Sequence, residues 1–151
     1  MIRKIWGAVV GYIAYFFCLY LLFAGVSSLL GPDRLFLPGN YDPSLLWILS
    51  AFILGVIVAA LGGYVAALIG KSGAVKIMAG LVVLIGVLVF ALLLRENRAA
   101  EPRTVDLPTM DAMFKAREPL WVAGVNPFLL VIAVFTGGSL RKNKEAGVVP
   151  A

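Results

Sequence analysis

The chain has 151 residues, 62% of them apolar and 14% charged, with a net charge of +5 and no histidine. Soluble domains are about half apolar and a quarter charged, so this composition excludes an ordinary water-soluble fold. The lack of histidine removes imidazole haem ligation, His-based zinc sites and His general bases. Excess positive charge on so apolar a chain favours anionic headgroups over nucleic acid.

Four apolar runs follow one another, at 5–30, 45–69, 75–94 and 120–140. Each reaches the roughly 18–20 residues needed to cross a hydrocarbon core about 30 Å thick. The expected fold is an all-α membrane protein, a single four-transmembrane-helix bundle. Its outer loops fall at 31–44 and 95–119, its inner turn at 70–74 and its tail at 141–151.

The first run follows Arg3 and Lys4. It is longer than the roughly 7–15 apolar residues of a signal peptide, so it reads as a retained anchor. Its small residues Gly7, Gly11, Ala14, Cys18 and Gly25 recur at spacings of 4, 3, 4 and 7, one seam on a helix. Cys18, the chain's one cysteine, has no partner for an intramolecular disulfide and reads as a small hydrophobe.

The second run is expected to start at Asp42-Pro43, a carboxylate cap followed by proline. It ends in LGGYVAALIGKSG, residues 61–73. The GKS tripeptide invites comparison with a phosphate-binding loop, which needs a glycine five residues before the second. Val65 stands there, and the segment closes an apolar helix instead of following a buried strand. No nucleotide is therefore expected. The glycines fit a packing role: Gly55, Ala59, Gly63 and Ala67 recur every four residues, and Gly62, Ala66 and Gly70 form an adjacent row. Small residues at this spacing let another helix backbone approach. Both rows are expected to face the first span, so that Gly63→Leu would loosen that contact. The same faces could also serve a homo-oligomer. Gly70 is expected to cap the helix and Gly73 to permit the reversal.

The third run carries Lys76 near its start and is followed by Arg95. In the outer segment beyond, Thr109 opens a stretch with Met110, Met113 and Phe114 on one helical face. A short interfacial helix and an irregular loop fit equally. The charges Arg98, Glu101, Arg103, Asp106, Asp111, Arg117 and Glu118 there match no metal signature. No cofactor is expected. The fourth run holds Asn126-Pro127 two turns in, a kink with an amide that could form an interhelical bond or line a polar site. A faint repeat pairs Trp47 and Gly62, 15 apart, with Trp121 and Gly137, 16 apart.

Seven basic residues and one acid lie on the side of the termini and the 70–74 turn, against six basic and seven acidic on the other. Basic density in the short inner turn and beside the first span places both termini in the cytoplasm. The architecture is similar to that of many small proteins of the bacterial cytoplasmic membrane. No ionisable residue lies deep in a span, which weakens ion-coupled transport and catalysis. The leading expectation is a non-enzymatic scaffold or accessory subunit whose partners are membrane lipid and a larger membrane complex or a second copy. A small-molecule transporter or channel built on Asn126-Pro127 is the alternative, and a membrane enzyme acting on lipid or quinone the second.

Overall fold

The computed structural model describes residues 1–96, 111–112, 115–116 and 118–146, with side chains described through residue 141. Met110, Met113 and Phe114 of the expected interfacial helix lie outside these residues, as do Thr109, Arg98, Glu101, Arg103, Asp106 and Arg117. Among the described residues the protein is all-helical, with α1 (Ile2–Leu30), α2 (Pro32–Leu35), α3 (Leu45–Arg95) and α4 (Leu120–Ala146). Three of these helices, α1, α3 and α4, are long and apolar enough to cross a membrane.

The 51 residues of α3 would measure about 76 Å if straight, more than twice the hydrocarbon thickness. They are not straight. Lys71 has φ 56° and ψ −158°, outside helical geometry. The side chain of Met78 reaches back to Gly62, where its Cε lies 2.8 Å from the position a Cβ would take. Sixteen residues of straight helix would separate them by about 24 Å, so the chain after Lys71 packs back along the chain before it.

Contacts along the helices give their sense. Gly7 meets Gly70, Gly11 meets Gly62, and the Phe23 ring stands edge-on to Trp47 at 5.4 Å, so α1 runs opposite to residues 45–70. On α4, Trp121 pairs with Phe52, Leu130 with Gly55 and Arg141 with Ala67, the same sense as residues 45–70. Against residues 72–95 the sense is reversed, Pro127 meeting Gly86 and Gly138 meeting Val75. The core is built largely of small side chains, with Ala8, Ala59, Ala66 and Ala74 fully buried beside Val58, Met78 and Val134.

A second, smaller cluster closes the end away from Lys71. Leu35 of α2, Phe36, Tyr41 and Ala112 are buried together, with Trp47 and Ala116 against them. The connection from α2 to α3 is a tight turn: Leu37 N–H donates to the Asp42 carbonyl at 2.9 Å, and Phe36 bridges Pro43. Ser44, not Asp42, caps α3; its hydroxyl accepts from Trp47 N–H at 3.2 Å and donates to the Arg34 carbonyl at 2.8 Å. Asp42 is otherwise engaged, since its carboxylate accepts from the Asn40 amide at 3.0 Å and holds the turn closed.

Candidate functional site

The two rows of small residues in α3 have different occupants. Gly62, Ala66 and Gly70 face α1. An ideal Cβ at Gly11 would lie 2.7 Å from the Gly62 carbonyl oxygen, and one at Gly7 would lie 2.8 Å from Gly70 N. The other row faces α4. A Cβ on Gly63 would collide with the Val134 backbone, and one on Gly55 would lie 3.4 Å from Leu130 Cδ2, in ordinary contact. Ala59 and Ala67 are buried in the same core. Gly63→Leu would therefore press on α4, not on α1 as the spacing suggested. Two rows on one helix are separated by about 100° of rotation, enough to meet two neighbours.

The seam on α1 is shorter than its spacing implied. Ala14 and Cys18 are half-buried, and Gly25 is exposed with nothing within 4 Å of its Cβ position. At that level the contact has passed to Phe23, whose ring holds Trp47. Spacing alone also missed the seam between α4 and α3, where Gly137 meets the Ala60 backbone and Gly86 receives the Pro127 ring. Glycine in both partners was its only sequence signal. Asn126 is half-buried beside that proline and lines none of the three cavities described below.

The Lys71 end has a different chemistry. Neither Gly70 nor Gly73 takes the left-handed backbone; Lys71 does. The two glycines are occupied in another way, since a Cβ at Gly70 would lie 2.9 Å from the Arg3 carbonyl oxygen and one at Gly73 would lie 2.7 Å from Lys4 Cδ. Interruption of the helix at Lys71 leaves carbonyls of the preceding turn without helical donors. Arginines from both neighbouring helices reach them. Arg3 Nε donates to the Ile69 carbonyl at 2.6 Å, and Arg141 Nη1 donates to the Ala67 carbonyl. Positive side chains at the negative end of a helix are favourable. These partners are 66 and 74 residues apart, so no local motif could reveal them.

Two hollows flank this turn. One, of about 380 Å³, lies among Ala67, Lys71, Lys76, Phe135, Ser139 and Arg141. The other, of about 510 Å³, lies among Arg3, Lys4, Ile69, Lys71, Gly73 and Lys76. Lys71, Ser72 and Lys76 line both, and among the described residues no carboxylate lines either. Five basic side chains thus converge on one turn.

The opposite end carries a hollow of about 430 Å³ lined by Leu37, Asp42, Leu93, Glu96, Glu118 and Leu120 among others. Burial of Glu118 pushes its carboxyl above the ordinary carboxylate range. Lys115 sits over the Tyr41 ring, 5.6 Å from its centroid. Among the described residues no group of three His, Cys, Asp or Glu side chains could hold a metal ion. Compared with protein-family models, curated proteins and solved structures, the chain finds no match in any of the three.

Proposed function

We propose that the chain is a four-crossing protein of the bacterial cytoplasmic membrane, with both termini in the cytoplasm, that acts without catalysis as a scaffold or accessory subunit. In this reading α3 crosses twice, with the Lys71 turn at the inner face. The reversal of contacts beyond Lys71 and the basic side chains gathered there support it.

One observation favours a supporting role over transport. All three described cavities lie at the ends of the helices, while between them glycines and alanines bring backbones together. Asn126 lines none of them. The outward faces, with Leu84, Val87 and Leu88 of α3 and Phe128 and Ile132 of α4 exposed, are left for lipid or for a membrane partner.

Two measurements test the reading. In a Cys18→Ser background, Ser72→Cys should react with a membrane-impermeant maleimide from the cytoplasmic side and Gly39→Cys from the outside. A Ser72→Cys thiol unreactive from both sides would remove the double crossing. Crosslinking and mass spectrometry of the full chain in mild detergent should find a stoichiometric protein partner or a second copy. A partner-free monomer that moves solute across liposomes would sink the supporting role.

A further inference from the structure

We propose that the basic hollows at the Lys71 turn form a binding site for a phosphate-bearing anion, supplied by the headgroup of an anionic membrane lipid. The proposal rests on the reading that α3 turns at a membrane face, though not on which face is cytoplasmic.

The hollow between α3 and α4 is two-natured. Phe135, Val75 and Ala67 give it apolar walls, while Lys71, Lys76 and Arg141 give it a basic rim, with the Ser72 and Ser139 hydroxyls among them. Phe135 is 46% exposed and lies one turn toward the middle of α4 from Ser139, where a lipid chain would run. A soluble anion has no use for that wall; a phospholipid uses both parts. Basic pockets between spans suit such headgroups.

The roles within the cluster divide by side chain. Arg3 and Arg141 are held by donation to the Ile69 and Ala67 carbonyls, which fixes the walls of the site. Lys71 and Lys76 are exposed and line both hollows. An ammonium serves a phosphate as a compact charge with three rotatable donors. Among the described residues no carboxylate lines either hollow, and an anion between Lys71 and Lys76 would be met by both ammonium groups. The Ser139 hydroxyl donates to the Thr136 carbonyl at 2.7 Å, so its oxygen still has a lone pair but its proton is spent. The anion is thus bound by cations, with Ser72 as the hydroxyl donor.

Native mass spectrometry of the full chain, released from detergent, tests this with three probes: phosphatidylglycerol, phosphatidylcholine of the same acyl chains, and glycerol 3-phosphate. Wild type should retain phosphatidylglycerol in preference to phosphatidylcholine. The double variant Lys71→Ala/Lys76→Ala should lose roughly twenty-fivefold in apparent affinity, at about a factor of five for each lysine. Arg34→Ala, at the opposite end, should bind as wild type does. Lys76→Arg should retain binding, which separates loss of charge from loss of fold. Equal retention of both lipids, or an undiminished preference in the double variant, overturns the proposal. Binding of glycerol 3-phosphate as tight as that of the lipid would overturn the lipid as source. Ser72→Cys labelling in phosphatidylcholine vesicles, which leave the site without an anionic headgroup, separates the two readings: a reactive thiol with no lipid preference rejects only this site, whereas an unreactive one rejects the topology beneath it.

Discussion

Lys71 holds a backbone conformation, φ 56° and ψ −158°, that only glycine adopts without strain, and such strain costs about 1–3 kcal/mol. Gly70 and Gly73 do not take this conformation; they keep ordinary backbone and leave their Cβ space to the approach of Arg3 and Lys4. Lys71→Gly and Lys71→Ala both remove the ammonium, and only the first relieves the strain. Glycine also raises unfolded-state entropy, offsetting about 0.5–1 kcal/mol of the gain. In detergent without added anionic lipid, Lys71→Gly should be more stable than Lys71→Ala by about 1 kcal/mol, read by thermal unfolding. Equal melting of the two would show that the turn relaxes freely.

Glu118 makes a second prediction at this scale. Its folded carboxyl is raised by desolvation, so the folded state binds a proton more readily than the unfolded state. The resulting stability is fully present below the ordinary carboxylate range and is lost as pH rises through the raised value. Glu118→Gln should flatten that dependence and melt higher than wild type at neutral pH. A wild-type melting temperature that instead rises between mildly acidic and neutral pH, with the slope abolished in Glu118→Gln, would give the carboxylate a favourable partner and reverse the assignment.

At the scale of the helices, α3 is held from two sides by two rows of the same spacing. Leucine at Gly11 would meet the Gly62 backbone, and leucine at Gly63 the Val134 backbone. Because backbone cannot swing aside as a side chain can, each substitution should cost about 2–3 kcal/mol. Gly25→Leu, with open space around it, should stay within about 0.5 kcal/mol of wild type. The seam drawn from spacing groups Gly25 with Gly11, so similar losses at both would restore it. Apolar length was legible because a bilayer demands it of any crossing helix, and so were the presence and period of the small-residue rows. Their occupants were not legible, because Gly55-Ala59-Gly63 and Gly62-Ala66-Gly70 look alike in sequence while one faces α4 and the other α1. The arginine donors were hidden for another reason: Arg3 and Arg141 act on carbonyls brought near only by the packed bundle.

For the molecule as a whole, the ends differ in charge more than the basic counts do. Arg3, Lys4, Lys71, Lys76 and Arg141 surround one turn, while Arg34, Arg95 and Lys115 at the other end share it with Asp33, Asp42, Glu96, Asp111 and Glu118. Seven basic residues against six would be a weak orientation signal if position did not matter. Bias is read in short loops and beside span ends, and acids contribute little, so the compact Lys71–Lys76 pair and Arg3–Lys4 should dominate. Replacing these four by glutamine leaves three basic residues on that side against six on the other. The variant should then insert in both orientations, with Ser72→Cys labelled from the outside in a substantial share of molecules where the parent shows almost none. Retention of a single orientation would mean that the packed hairpins, not the basic turn, decide which way the protein faces.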